Sequence, residues 1–307
     1  VKIGRRSTEI VLCDFHGVIL DRAKQVYAFP VPDRVLDFIN ATVSALRARH
    51  EHSSRITGIG VAMPFELWKW AEEMDAPGAV LDRWRDIDIA AELDLLTGLP
   101  VSIANDASAA CGAELAYCHR GRNIDLLYLF IGSFIGGGIA LNGALVQGRT
   151  GNAGALGSLP IPDRRGIPAQ LIDFASLITL EKAIAATGGD PSILQAPEAD
   201  WSAIGAPLKH WLDEAARALA FAIVSSVSVF DFGLVTIDGA LPRAVLDGLV
   251  ERTRGLVAGY DLQGLSPFDV GAGGLGSDAR ALGGAMLPIN DHYGCGQDIL
   301  LKSLAPG

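Results

Sequence analysis

The run Gly132-Ser133-Phe134-Ile135-Gly136-Gly137-Gly138 decides how this chain is read. Residues 125–131 before it form an apolar stretch that predicts a buried strand, and residues 136–141 predict a second one. Gly143-Ala144 then supplies a hairpin turn between Leu141 and Leu145-Val146. A glycine-rich loop between two strands has two physical readings. Its backbone N–H groups can cradle a phosphate, or its glycines can serve only the positive φ of a tight hairpin. The choice depends on what surrounds it.

Upstream, residues 8–13 predict a strand, Asp14-Phe15-His16-Gly17 a turn, and Val18-Ile19-Leu20 its hairpin partner. Val35, Leu36, Phe38, Ile39, Val43 and Leu46 recur at helical spacing across 32–49. A strand is expected at 55–61 and a helix at 89–97, closed by Gly98 and Pro100. A short strand at 101–104 delivers Asn105-Asp106 at its carboxyl end, and a helix follows over 107–117. Downstream, a loop at 160–168 precedes helices at 169–186 and 206–230. Then come a strand at 234–238, a helix at 243–256, a strand at 268–270, a glycine loop at 271–276 and a helix around 279–287. Strands followed by helices, stated twice, predict two α/β lobes with a central cleft.

Composition narrows the function. Half of the 307 residues are apolar and a fifth are charged, which suits a globular chain long enough for two cores. The formal net charge of −10 opposes binding to a phosphate backbone, so DNA is expected to be met only through a domain outside this chain. The opening Val-Lys-Ile-Gly, without an initiator methionine or a leader, is read as a sign of further residues upstream. No apolar stretch is long enough for a membrane span. Cys13, Cys111, Cys118 and Cys295 show no C-x-x-C spacing and read as reduced thiols, in keeping with a cytoplasmic compartment.

Three motifs in fixed order give the chain a resemblance to the ROK family of repressors, open reading frames and kinases. They are Asn105-Asp106-Ala107, the 132–138 loop, and Gly148-Arg149-Thr150-Gly151-Asn152-Ala153-Gly154. Gly98-Leu99-Pro100-Val101 precedes the first and Glu114 follows it at the family's spacing. The resemblance runs from Val1 to about Leu287. It implies a two-lobed, actin-like, ribonuclease-H-like duplicated fold. The expected division is a smaller lobe over 1–118, a larger one over 119–290, and a tail over 291–307 that packs back on the first.

Phosphorylating a sugar requires a carboxylate to take the hydroxyl proton. Asp106, at a strand end, matches the family's base. Asn105 offers one acceptor and two donors, which suits vicinal hydroxyls. Spacing alone equally allows the pair to cap the following helix. Gly4, Gly132, Ser133, Gly136, Gly137 and Gly239 match the family's nucleotide and phosphate loops in degenerate form, and bulky Phe134 stands where the family favours glycine.

The departures shape the functional expectation. The family's kinases open with a motif like Asp-x-Gly-Gly-Thr, whereas this chain has Lys2-Ile3-Gly4-Arg5-Arg6-Ser7. A lysine cannot ligate magnesium, which takes oxygen donors. The family's Gly-Glu-x-Gly-His reads Gly154-Ala155-Leu156-Gly157-Ser158, and the cysteine cluster has become Gln170-Leu171-Ile172. The family's zinc is therefore not expected, and two sugar contacts become apolar at Ala155 and Ile172. Ala240 replaces the second glycine of the adenosine-side turn.

Such a pattern resembles the family's xylose-type and N-acetylglucosamine-type regulators more than its kinases. It implies the sensing part of a sugar-responsive transcriptional regulator, a homodimer or homotetramer whose winged helix-turn-helix lies outside this chain. The alternatives are an ATP- and magnesium-dependent sugar kinase using Asp106, and a scaffold that binds no sugar.

Overall fold

The computed structural model describes residues 1–71, 76–120, 122–195 and 199–293. Most of the tail expected at 291–307, including Cys295, lies outside the described residues.

In the first part of the chain, β1 (Lys2–Ile3), β2 (Ser7–Cys13) and β3 (Ile19–Val26) form an antiparallel meander. Helix α1 (Pro32–Arg49) then crosses to β4 (Ile59–Ala62), which lies parallel to β1. After the short α2 (Gly78–Asp82), α3 (Ile89–Thr97) crosses to β5 (Val101–Ala104), parallel to β4. The sheet order is β3-β2-β1-β4-β5. Helix α4 (Asp106–Ala113) leaves β5 and continues as a π-helical turn over Glu114–Cys118.

The second part repeats this plan. β6 (Leu126–Ile131), β7 (Ile135–Leu141) and β8 (Ala144–Leu145) form an antiparallel meander. Next come the hairpin β9 (Pro160–Pro162) and β10 (Pro168–Gln170), then α5 (Ile172–Ala175), α6 (Leu177–Ala186) and α7 (Ala206–Phe230). β11 (Leu234–Gly239) returns parallel to β6, α8 (Arg243–Val257) crosses, and β12 (Asp269–Ala272) lies parallel to β11. The order β12-β11-β6-β7-β8 has the topology of the first sheet, strand for strand. Helix α9 (Ala279–Tyr293) ends the described chain. Two copies of one α/β plan are the duplicated fold expected from the sequence.

Central strand β6 shows why the sequence folds this way. All six of its residues are buried, as a strand covered on both faces requires. Leu127, Leu129 and Ile131 join a core with α7, whereas Leu126, Tyr128 and Phe130 join a second cluster with Ala110 and Cys111. The alternation is the two-residue period of a strand. Each such side chain contributes about 1.5–3 kcal/mol by burial. In the first unit, α1 buries Val35, Leu36, Ile39, Val43 and Leu46 along one stripe, and Pro32 sits at its first turn where a missing N–H is harmless.

Contacts divide the chain into two compact units, Val1–Ala109 with the chain from Arg280 onward, and Ala110–Ala279. The divisions fall inside α4 and at the start of α9, which packs on β4. Gly60 sits so close to Gly284 that a Cβ there would stand 1.7 Å from the Gly284 carbonyl oxygen. The sequence places a helix over 169–186, but a strand and a short helix precede α6. Ser176, fully buried and extended, breaks the helix there to accept the Ile135 N–H on its hydroxyl.

Candidate functional site

Parallel strands in such sheets present loops at their carboxyl ends, where ligands are ordinarily held. In the first unit these ends carry Gly4 after β1, Met63 after β4, and Asn105-Asp106 after β5. In the second they carry Gly132 after β6, Gly239 closing β11, and Gly273 after β12.

Lys2 is buried on β1. Its ammonium donates to Ser7 Oγ at 3.0 Å and to Glu9 Oε1 at 3.4 Å, and Ser7 Oγ donates to the same carboxylate oxygen at 3.0 Å. Lys24 also reaches Glu9 at 3.4 Å. Burial and then the nearby Arg280 pull the Lys2 pKa down to about 8, against the attraction of Glu9. Burial would raise Glu9, but Lys2, Lys24 and Arg280 outweigh it and hold the carboxyl at about 2. The pair is therefore ionised at neutral pH. The Lys2 chain folds back against Gly4, where an added Cβ would lie 2.8 Å from Nζ. The Gly4 N–H donates to the Ser7 carbonyl at 2.9 Å, and its carbonyl accepts from the Tyr27 hydroxyl at 2.9 Å.

Asn105 Oδ1 accepts from the N–H groups of Ala107 (3.1 Å) and Ser108 (3.3 Å), the geometry of a helix cap. Its amide nitrogen remains as the donor end. Asp106 Oδ1 accepts the Ala107 N–H at 3.0 Å, and Oδ2 accepts from Arg280 Nη1 at 3.2 Å. Both partners of that ion pair are mostly buried. The cap and the sugar-facing roles weighed for this pair from sequence are thus compatible, since each residue keeps part of its hydrogen-bonding capacity. Arg280 was not visible from the sequence as a member of the site. It stands 174 residues away from Asp106, and no local pattern links them.

The second unit uses its glycines differently. The Gly132 and Ser133 carbonyls accept the N–H groups of Leu177 and Ile178, so the turn caps the start of α6. Gly136 and Gly137 are ladder residues of β7 opposite Phe130 and Leu129. A Cβ on Gly137 would collide with Leu156 Cδ1 at 2.4 Å, and one on Gly239 with the Ile131 carbonyl at 2.4 Å. Ala155 and Ser158 are exposed beside that packing.

Behind these loops lie two buried carboxylates that sequence reading left without a role. Asp238 is fully buried and accepts from Tyr128 Oη (2.9 Å), Gly239 N (2.8 Å) and Gly276 N (3.1 Å). Glu114, on the π-helical turn, accepts from Gly274 N at 3.2 Å and lies 3.6 Å from His119 Nε2. Burial raises both carboxyl pKa values, and Asp238 adds to the rise at Glu114. The His119 side chain is itself mostly buried there. No group of three or more His, Cys, Asp or Glu among the described residues is arranged to hold a metal ion. No described helix is long and apolar enough to cross a membrane.

Duplicated βββαβαβ units with polar residues at the carboxyl ends of their parallel strands define an actin-like, sugar-kinase-type fold. The chain belongs to the ROK family, which it matches over residues 1–290. It is 32% identical over 208 residues to the Bifunctional enzyme NanE/NanK of Brucella melitensis, an alignment covering 66% of this chain and 38% of that protein. A ROK family glucokinase from Streptomyces griseus, solved with glucose and AMPPNP, superposes with a TM-score of 0.70 at 22% identity, over 93% of this chain and 97% of that one. A ROK family transcriptional regulator homologous to the Escherichia coli MLC protein superposes with a TM-score of 0.64 at 20% identity, over 94% and 76%. The family thus includes both sugar kinases and regulators.

Proposed function

We propose that this chain is the ligand-sensing part of a ROK-type, sugar-responsive transcriptional regulator in which phosphoryl transfer has been lost. The observation that carries the reading is Lys2. A magnesium nucleotide needs oxygen ligands and exposed N–H groups at the first loop. Here an ammonium lies against Gly4, tied to Ser7 and Glu9, and the Gly4 N–H is committed to Ser7. These residues do not fit a magnesium nucleotide. In the second unit, the N–H groups of Gly239, Gly274 and Gly276 are likewise held by Asp238 and Glu114.

Sugar recognition rests on what survives. Asp106 keeps lone pairs beyond its two bonds, and Asn105 keeps its NH2 donors. Together they suit a vicinal diol, one hydroxyl donating to the carboxylate and its neighbour accepting from the amide. Binding a sugar here would shift a two-state equilibrium that an upstream DNA-binding domain reads, in an oligomer of this chain.

Asp106 itself favours a second reading, an ATP-dependent sugar kinase, because a carboxylate still stands at the base position. Calorimetry with glucose, xylose and N-acetylglucosamine, run beside a coupled assay with ATP and magnesium, separates the two. The sensor reading expects binding without turnover. Turnover abolished by Asp106→Asn would overturn it, and absence of any binding would favour a scaffold.

A further inference from the structure

The Asp106 carboxylate is fixed from two sides, by the Ala107 N–H on Oδ1 and by Arg280 on Oδ2. The first donor belongs to Asp106's own helix and cannot leave without unwinding it. The second comes from α9, the helix whose glycine face rests on β4. The chain passes between its two compact units twice, within α4 and at the start of α9, and this ion pair joins the residues beside those passages. We infer that Arg280 is the positioning residue of the sugar site: it sets the Asp106 carboxylate for hydroxyl binding and makes α9 the element that registers occupancy. The inference rests on the sensor reading and adds to it the residue through which the ligand is felt.

A carboxylate with one N–H on one oxygen retains rotational freedom about its Cβ–Cγ bond. A second, charge-assisted donor on the other oxygen removes most of it and leaves the remaining lone pairs in fixed directions. A sugar hydroxyl donating to Oδ2 must share that oxygen with the guanidinium, so it alters the strength and geometry of the bond that holds Arg280. Because the pair is mostly buried, water compensates poorly for that change. Arg280 sits in the first turn of α9, and Gly284 one turn further is in backbone contact with β4. A change at Arg280 therefore reaches a helix that has no side chain to cushion it at its next contact.

The test uses the full chain with glucose, xylose and N-acetylglucosamine as probes. Calorimetry gives affinity, and amide hydrogen exchange across 280–293 gives the response of α9. For the unaltered protein, the sugar that binds is expected to change exchange in α9. Arg280→Met is expected to weaken that sugar about tenfold or more and to abolish the α9 response at saturation. Arg280→Lys, which restores a charged donor, is expected to recover part of both. If Arg280→Met loses its cooperative melt, Arg280→Gln, uncharged but still a donor, carries the same comparison. Affinity within about twofold of the unaltered protein, or an α9 response that survives in the uncharged variant, overturns the inference and leaves the sensor reading standing. A folded, unaltered protein that binds none of the three sugars overturns both.

Discussion

Gly60→Ala is the substitution on which the architecture makes its sharpest demand. The new Cβ would stand 1.7 Å from the Gly284 carbonyl oxygen, 2.7 Å from its carbonyl carbon and 2.9 Å from Pro288 Cδ. An ordinary contact begins near 3.4 Å, so α9 would have to retreat by about 1.7 Å. No rotamer can relieve a clash between a Cβ and backbone. Overpacking costs about 1–3 kcal/mol where side chains can adjust. With backbone on the opposing side the upper end applies, about 3 kcal/mol or more. For a unit of this size that is a fall in melting temperature of about 9 °C or more, taking about 3 °C per kcal/mol. Moving α9 also draws Arg280 away from Asp106, so sugar affinity should fall with stability. Calorimetric melts and a sugar titration check both. A melting point within about 2 °C of the unaltered protein, with affinity retained, would refute the packing argument.

Gly255 lies exposed in α8 with nothing within 4 Å of a Cβ, so Gly255→Ala should stabilise by about 0.5–1 kcal/mol through helix propensity, seen as a raised denaturation midpoint. Tyr128→Phe removes a hydroxyl donor from the fully buried Asp238 and should cost about 1–3 kcal/mol in urea unfolding. Lys2, lowered from 10.5 to about 8, binds its proton less tightly folded than unfolded. Stability should therefore rise as pH climbs from about 8 to 10.5, and Lys2→Met should flatten that rise in melts taken across the window.

Much of the fold can be read from the sequence because the central strands and long helices obey their own periods. Residues 126–131 are apolar without interruption, as a strand buried on both faces must be, and α1 shows its stripe at 35, 36, 39, 43 and 46. β1 escapes such reading because two residues have no period, and its strand identity comes from pairing with Glu9, Thr8 and Ala62. The β9–β10 hairpin escapes for another reason. Its prolines at 160, 162 and 168 signal a loop locally, yet the strands pair only with each other, which leaves room for them at edges. Of the site, Asn105 and Asp106 are legible because a strand end and a helix start meet there. Their partner Arg280 and the Glu114–Asp238 arrangement are not, because they arise from contacts across more than a hundred residues.

The glycines make the same point more severely. From sequence, the loops at 4, 132–138 and 239 share one feature, the absence of side chains, and that feature serves phosphate binding and close packing alike. What separates the two uses is the fate of the N–H groups and the space above each Cα. Gly137 and Gly239 are needed because Leu156 and the Ile131 carbonyl press on them. Gly132 and Ser133 use their carbonyls to accept the Leu177 and Ile178 N–H groups at the start of α6. Gly4 differs in lying against a cation, the ammonium of Lys2. An aspartate at position 2 would not by itself make a metal site. It would place a second carboxylate beside Glu9 while removing the ammonium that Glu9 and Ser7 now bind, so two like charges would meet in a buried turn. Within the first two strands, Glu9 and Lys2 thus each offset the other's buried charge.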